Sequence, residues 1–148
     1  MNKKRILSLV AATMLSVAVL AGCGSKEEGM KDGKYEVEAA AADKNGYKST
    51  LTLEVKDGKI VAADYDEIST EGASKQSDAE YNKKMKEFGK VTNPEEAFPA
   101  LEKAIVEKQS AEVDAFTGAT SSSNNFKKLA AKAIENATAG NTEEAIVE

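Results

Sequence analysis

The feature that most constrains the fold is a pair of alternating apolar runs joined by Asp57-Gly58. Apolar and polar residues alternate over the first run, which is typical of a half-buried strand, and its apolar positions are Leu51, Leu53 and Val55. Asp-Gly favours a two-residue hairpin turn, because both central residues of such a turn need positive φ. The return strand is predicted from Lys59 to about Ile68, with Val61, Ala63 and Tyr65 on a single side.

An earlier strand extends this hairpin into a meander. Residues 35–42 follow the turn-like Asp32-Gly33-Lys34 and share one face through Tyr35, Val37, Ala39 and Ala41. A second turn at Lys44-Asn45-Gly46 leads into the run that contains Leu51. The pattern therefore predicts three antiparallel strands that are consecutive along the chain. Residues 69–77 interrupt it and are predicted to form a loop.

Three helices are predicted after the sheet. Tyr81, Met85 and Phe88 have the spacing of one helix face, which Gly89 would end. Asn93-Pro94 is a helix start with proline at the first position. The last helix begins near Ser122, is capped by Gly140 and leaves residues 141–148 as a frayed, disordered tail. We expect Tyr65, Tyr81, Met85 and Phe98 to fill the core rather than to contact a ligand. The fold class is α+β, a small antiparallel sheet of three or more strands with about three helices packed on it.

The N-terminal region is predicted to direct the chain across a membrane. Residues 2–5 form a basic segment through Lys3, Lys4 and Arg5, and an apolar stretch at 6–20 follows that is short for a membrane span, as in a secretory signal peptide. Leu20-Ala21-Gly22-Cys23 resembles the cleavage site of bacterial lipoproteins, in which the cysteine sulfur receives a diacylglyceryl group. We therefore expect a lipoprotein signal peptide at 1–22, a lipidated flexible tether at 23–31 and one folded domain at 32–140. An ordinary secretory peptide with an incidental cysteine is the alternative.

Composition excludes several classes of function. The sequence has one cysteine and no histidine, so it has no intrachain disulfide, Cys-ligated zinc, iron–sulfur cluster or histidine-ligated haem. Its net charge is −5 and becomes more negative without the basic residues 3–5, which disfavours nucleic acid as a partner. Redox chemistry would need a cofactor that binds without those ligands. We expect a monomer with no metal site.

A hydroxyl-rich segment, residues 114–122, precedes the last helix and reads Asp-Ala-Phe-Thr-Gly-Ala-Thr-Ser-Ser. The N-terminus of a helix has unpaired N–H groups and the positive end of the helix dipole, so it suits a phosphate. The hydroxyl groups that can serve there belong to Thr117, Thr120, Ser121 and Ser122. Each can cap the helix or contact an anion, and Thr120 can also carry a phosphate covalently. Hydroxyl residues before a helix are most often caps.

The order Asp-x-x-Thr-Gly-Ala-Thr-x-Ser resembles the flavinylation motif of the FMN-binding domain family. That family includes the C subunit of the sodium-translocating NADH:quinone oxidoreductase, the G subunit of the Rnf complex and small surface lipoproteins of extracellular electron transfer. The resemblance extends over most of residues 32–140, through Asp32-Gly-Lys-Tyr35, the hairpin at 55–60 and the helix around Tyr81. It also implies that the loop at 69–77 lies near a flavin.

The resemblance implies a covalent cofactor and specific partners. A flavin transferase would join the phosphate of FMN to the hydroxyl of Thr120, and Asp114, Thr117, Gly118 and Ala119 would form the loop that it recognises. Ser122 matches the hydroxyl position that follows this loop in the family, and Ser121 is a further candidate for contact with the cofactor. Phe116 would either pack at the edge of this loop or cover the isoalloxazine ring. The expected function is that of a lipid-anchored electron carrier on the outer face of the cytoplasmic membrane or the cell surface. It would pass electrons from a membrane quinol dehydrogenase, or a similar donor, to an external acceptor, with no catalytic residue of its own. A surface lipoprotein that binds a small solute or peptide without flavin is the alternative.

Overall fold

The computed structural model describes residues 29–88 and 91–148, which form four strands and three helices. The strands are β1 (Gly33–Ala39), β2 (Tyr47–Lys56), β3 (Lys59–Ser69) and β4 (Ala145–Val147). The helices are α1 (Ala79–Glu87), α2 (Pro94–Lys108) and α3 (Thr120–Ala139). The α+β class is confirmed, whereas the predicted signal peptide and most of the tether lie outside the described residues. None of the helices within the described ranges is long and apolar enough to cross a membrane.

The sheet has the strand order β3-β2-β1-β4. Strands β1, β2 and β3 form the predicted antiparallel meander. The prediction of a frayed tail at 141–148 was wrong, because β4 pairs with β1 in parallel and makes the sheet mixed. The half-buried Ala145 and Val147 pack against the core, and Ala40 N–H donates to the Val147 carbonyl at 2.8 Å. A three-residue strand is too short for a periodic pattern to reveal it.

A β-bulge changes the buried face of β3. The register passes from Glu54 opposite Ala62 to Val55 opposite Ile60, which leaves Val61 as the additional residue. Ile60 is therefore buried, whereas Val61 is 47% exposed. The prediction that Val61 shares a face with Ala63 and Tyr65 was wrong, because strict alternation fails wherever a strand gains one residue.

The core lies between one face of the sheet and the helices α2 and α3. Tyr65 is at its centre and makes edge-to-face contacts with Phe98 of α2 and Phe126 of α3, at centroid distances of 4.8 and 5.2 Å. All three rings are almost fully buried. Packing in the core is thus confirmed for Tyr65 and Phe98. Edge-to-face aromatic pairs of this kind contribute about 0.5–1.5 kcal/mol each beyond the burial of their area.

Helix α1 is joined to the rest of the domain through polar contacts. Buried Asn82 donates to the carbonyl groups of Gln76 and Asp78, both at 2.8 Å, and accepts from Glu95 N–H at 3.1 Å. This amide therefore ties α1 to the loop before it and to the start of α2. The prediction that the apolar residues of α1 fill the core was wrong. Tyr81 and Met85 are half-buried, and Phe88 is 79% exposed.

The C-terminal end of α3 is closed by hydrogen bonds. Gly140 ends the helix in the left-handed region with φ of 74°, as the sequence predicts, and its N–H donates to the Ala137 carbonyl. Lys31 lies across the same end, with its backbone N–H donating to the Ala137 carbonyl at 2.8 Å and its Nζ to the Ala139 carbonyl at 3.3 Å. The chain therefore enters the domain beside the last turn of α3.

Candidate functional site

The segment before α3 is held from the inside by a buried serine. Ser123 is fully buried, and its Oγ accepts from Phe116 N–H at 2.9 Å and donates to the Ala119 carbonyl at 2.7 Å. Ala119 N–H donates to the Phe116 carbonyl at 2.9 Å, which closes a tight turn. These bonds fix residues 116–119 against the helix and direct residues 120–122 outward. The segment is an ordered turn and not a loose linker.

No side chain caps the start of α3. The N-cap residue is Ala119, which has no side-chain oxygen and makes no capping hydrogen bond. Thr120 is the first residue of the helix and is exposed, as is Ser121. The alternative in which these hydroxyl residues serve as the N-cap is therefore wrong for this helix. The first N–H groups of α3 remain available to an anion, with the favourable end of the helix dipole behind them.

Position 118 requires glycine because of its backbone conformation and because neighbouring side chains leave little room for a Cβ atom. Its φ is +85°, and a Cβ atom there would lie 3.2 Å from Val91 Cβ and 3.3 Å from Thr92 Cγ2. Only glycine adopts this φ without strain, and the contacts are tighter than ordinary packing. The turn before Thr120 is thus packed closely against the segment that leads into α2.

The start of α3 forms one wall of a cleft with a volume of about 490 Å³, within the range of about 300–1,000 Å³ found for small-molecule sites. The opposite walls come from the β1–β2 loop, from the loop after β3 and from the starts of α1 and α2. The motif residues in the lining are Gly118, Ala119, Thr120, Ser121 and Ser122. The other polar and charged residues are Asp43, Lys44, Asn45, Glu67, Lys75, Tyr81, Thr92 and Asn93, and the apolar ones are Met85, Pro94, Ala97 and Phe98.

A buried ion pair lies in the wall of this cleft. Lys75 Nζ donates to Glu67 Oε2, and the two side chains are only 7% and 4% exposed. The ammonium group lies over two aromatic rings, 4.7 Å from the centroid of Tyr47 and 5.4 Å from that of Tyr81. Burial by itself would lower the pKa of Lys75, but the hydrogen bond and the charge of Glu67 outweigh burial and raise this pKa. Lys75 is therefore a fixed cation.

The ion pair is connected to the start of α3 through Tyr65. The phenol oxygen of Tyr65 lies 3.0 Å from Glu67 Oε1 and 3.3 Å from both Ser49 Oγ and the Ser122 carbonyl oxygen. Burial and the nearby charge of Glu67 raise the pKa of this phenol far above its usual value, so it remains neutral and can donate. Its nearest acceptor is the carboxylate of Glu67. The central core residue thus also orients the acid that holds Lys75.

Three of the predicted site residues lie outside the lining of the cleft. Asp114 is exposed and forms an ion pair with Lys108 at 2.8 Å, and the hydrogen bond and charge of Lys108 lower the pKa of Asp114. Thr117 is exposed as well. Phe116 is half-buried and packs against the core, which corresponds to the packing alternative for this ring. The structure therefore brings together the second half of the motif, residues 118–122, at the cleft.

Several cleft residues were not predicted from the sequence as site residues. Glu67 lies near the end of a predicted strand and Lys75 in the predicted loop after it, eight positions later, and no short motif contains them both. Tyr81 and Met85 were assigned to the core because they have helical spacing, yet they line the cleft. The resemblance implied that the loop at 69–77 lies near a flavin, and the structure places Lys75 of this loop in the lining of the same cleft as residues 118–122. In the described part of the chain, no group of acidic, histidine or cysteine side chains could hold a metal ion.

The start of α3 has an accessible threonine and free N–H groups, and it borders a cleft lined by polar and aromatic side chains. Together these features define a small domain suited to a phosphorylated aromatic ligand. The sequence model of the FMN-binding domain family matches residues 46–135, which include the motif and all of the cleft lining except Asp43, Lys44 and Asn45. The chain therefore belongs to the FMN-binding domain family.

Individual proteins are similar to this chain over most of its length. A 15 kDa lipoprotein of Treponema pallidum (strain Nichols) is 36% identical over 130 residues, which cover 87% of this chain and 91% of that protein. A crystal structure of a Clostridium perfringens protein is 50% identical with a TM-score of 0.77, and the match covers 80% of this chain and 97% of that one. A solution structure of a Clostridium thermocellum protein is 31% identical with a TM-score of 0.50, covering 73% and 92% of the two chains.

The residues of the cleft fit an FMN group. The uncapped start of α3 offers backbone N–H donors to a phosphate, and the exposed Thr120 provides a hydroxyl group at the same place. Aromatic and apolar side chains of the lining, such as Tyr81 and Met85, suit a planar ring system, and the volume is that of a small-molecule site. The donor set contains no competing metal ligand cluster among the described residues.

Proposed function

We propose that this protein is a lipid-anchored, extracytoplasmic electron carrier in which FMN is attached through its phosphate to Thr120. Membership of the FMN-binding domain family supports FMN as the ligand, because the family match includes most of the cleft lining. The covalent linkage is supported by the resemblance of residues 114–122 to the flavinylation motif. The observation that carries the proposal is the position of Thr120, which is exposed at the uncapped start of α3 and lines the cleft.

The linkage is a phosphoester between Thr120 Oγ1 and the flavin phosphate. A flavin transferase would use an activated flavin nucleotide as donor, so the new P–O bond replaces the bond to the leaving group and the hydroxyl proton departs. The N–H groups of residues 120–122 and the helix dipole stabilise the phosphate in place. Gly118 and Ser123 hold the turn in the shape that presents Thr120 to solvent, where an enzyme can reach it.

When bound, the flavin supplies the electron-transfer chemistry, and the chain supplies position and local charge. Tyr81 and Met85 of α1 line the cleft, as does Glu67, whose carboxylate is held by the hydroxyl group of Tyr65. A covalent cofactor is retained where free FMN is scarce, because occupancy no longer depends on ligand concentration relative to Kd. This property suits a protein that acts outside the cytoplasm.

Lipid anchoring through Cys23 follows from the cleavage-site resemblance and from the similar T. pallidum protein, whose name is that of a lipoprotein. We place the domain on the outer face of the membrane or the cell surface, where a membrane quinol dehydrogenase or a similar donor would reduce it. The acidic chain, with a net charge of −5, favours a basic redox partner and an encounter that weakens with salt.

Intact mass spectrometry tests the proposal. The chain from residue 24 onward is purified after co-expression with a flavin transferase, in parallel with the variants Thr120→Ala and Thr138→Ala. Thr138 is a matched control, because it is an exposed threonine on the same helix, far from the cleft. We expect wild type and Thr138→Ala to gain the mass of one FMN less one water, and Thr120→Ala to gain none.

Two results would contradict the proposal. A flavin on Thr120→Ala would place the linkage elsewhere, and a colourless wild-type protein without added mass would favour the solute- or peptide-binding alternative. In the latter case, a ligand screen of the bare domain becomes the informative experiment.

A further inference from the structure

The Lys75–Glu67 pair is the most deeply buried charge in the wall of the cleft. Both side chains line the cleft that also contains Thr120, and both are less than one tenth exposed. Glu67 accepts from Lys75 and Tyr65, so its two oxygens are both engaged. In the described part of the chain, Glu67 is the hydrogen-bond acceptor of the Lys75 ammonium. An ammonium group has three N–H donors, so two of them are not engaged by Glu67.

The burial of an ion pair is weak evidence that the pair serves to stabilise the fold. Removing two charges from water costs several kcal/mol per ion, and apolar replacements of similar volume are often neutral or stabilising by about 1–4 kcal/mol. A lysine in the wall of a ligand cleft is therefore informative about the ligand. The neighbouring rings of Tyr47 and Tyr81 both contact the ammonium group, and Glu67 accepts its hydrogen bond, so three side chains fix the position of this group.

We propose that Lys75 is a cofactor-contacting residue whose ammonium group stabilises the reduced flavin and thereby raises its midpoint potential. This inference rests on the proposed function. Reduction of a flavin by two electrons, taken from a reduced redox partner, and one proton, taken from solvent, adds one negative charge to the ring system. Lys75 keeps its own proton throughout and acts only through charge and hydrogen bonding. A unit charge at a distance of a few ångströms in such a wall changes an equilibrium by a factor of ten or more, on the order of magnitude given by Coulomb's law.

Lys75 could also act only by neutralising Glu67, and the experiment must distinguish this role from direct stabilisation of the reduced flavin. The charged residues in the lining are Asp43, Lys44, Glu67 and Lys75, whose formal charges sum to zero. Loss of Lys75 alone would make this wall negative and would lower the potential through either role. Loss of both members of the pair leaves the wall neutral and separates the two roles.

The experiment measures the midpoint potential and the visible spectrum of the flavinylated protein by redox titration. The variants are Lys75→Met, Lys75→Arg and the double variant Lys75→Met/Glu67→Gln. Lys44→Met is the matched control, because it removes one positive charge from the exposed rim of the same cleft. Thermal unfolding is followed for each protein, and the double variant serves if Lys75→Met leaves Glu67 unpaired and does not fold.

We expect Lys75→Met to have a more negative potential, so that the reduced-to-oxidised ratio at a fixed applied potential falls by about tenfold or more. The potential of the double variant should also be more negative than that of the wild type, but by less, because the negative charge of Glu67 is removed together with the ammonium group. Lys75→Arg should retain most of the wild-type potential. Lys44→Met should change the ratio by less than about threefold, because the charge of Lys44 is screened by water and salt.

A double variant with the wild-type potential would overturn the inference, since Lys75 would then only neutralise Glu67. Equal potentials in all variants would overturn it too and would leave the proposed function intact. A wild-type protein without FMN would overturn both.

Discussion

The two ends of helix α3 are built in opposite ways. At the C-terminal end, Gly140 and Lys31 both donate to carbonyl groups of the last turn. At the N-terminal end, the cap position is Ala119, and no side chain accepts from the first N–H groups. A typical N-cap hydroxyl or carboxylate contributes about 0.5–2 kcal/mol, so this end lacks a stabilising interaction that the helix could have had.

Under the proposed function, the two ends have different roles. The closed end joins Lys31 to the last turn of α3. The open end would offer its N–H donors to the phosphate of the cofactor, while Ser123 supports the turn through its hydrogen bonds to Phe116 and Ala119. A bound phosphate would then supply the acceptor that the missing cap does not.

Ser123→Ala should have the largest effect on stability and would show whether the open end depends on internal support. The substitution removes the acceptor of Phe116 N–H and the donor to the Ala119 carbonyl in a fully buried position. We expect a loss of about 1–3 kcal/mol in the free energy of unfolding, together with reduced flavin attachment. Urea denaturation of the unmodified domain measures the first, and intact mass measures the second. Ser121→Ala is the control, since its exposed hydroxyl should change stability by less than about 0.5 kcal/mol. Equal stability of the two variants would contradict this account.

Gly140→Ala should have an intermediate effect that is confined to the closed end. The φ of 74° disfavours alanine, and its Cβ would lie 2.6 Å from Lys31 Cδ, so that side chain must move from the Ala139 carbonyl. We expect a loss of about 1–2 kcal/mol with normal flavin attachment. Gly72→Ala separates the two causes, because Gly72 has a φ of 84° and nothing within 4 Å of an added Cβ. Loss of flavin attachment in Gly140→Ala would break the contrast between the two ends.

Ala119→Ser should have the smallest effect and the opposite sign. A hydroxyl at the N-cap can accept from the free N–H groups, so the unmodified domain should gain up to about 1 kcal/mol. The same hydroxyl would compete with the phosphate, and we expect slower flavin attachment to Thr120. Thermal unfolding and a time course of attachment by intact mass measure these changes, with Ala139→Ser at the other end of α3 as control. A stabilised variant that is modified at the wild-type rate would show that the open N–H groups have no role in attachment.

Much of the fold could be predicted because its signals are local. The meander follows from alternation and from the Asp57-Gly58 turn, and the start of α2 follows from Asn93, whose side chain accepts from Glu96 N–H at 3.0 Å. The errors arise where an element depends on distant partners. Strand β4 exists because the edge of β1 is available to it, and Val61 is exposed because a bulge shifts the register. Neither feature has a periodic signature in the sequence.

The candidate site could be predicted only as far as its contiguous part. Residues 118–122 are adjacent in sequence and form a motif, and all of them line the cleft. Lys75, Glu67 and Tyr81 come from separate elements, and only the tertiary fold makes them neighbours. Helical spacing cannot distinguish a residue that faces the core from one that faces a cleft, so Tyr81 and Met85 were assigned to the core.

Because Lys31 is bound to the C-terminal end of α3, the chain enters the domain at the end of this helix that lies opposite Thr120. Lys31 contacts residues 137–140, and Thr120 lies 17 or more positions earlier on a straight helix, so about 26 Å separates the place where the chain enters from the place where the cofactor would be linked. If Cys23 holds the chain to a membrane, the membrane attachment joins the domain at the end opposite Thr120. Under the proposed function, a donor in the membrane would reach the cofactor only in orientations that turn the Thr120 end toward the membrane. Electron delivery and electron release would then depend on the orientation of the whole molecule.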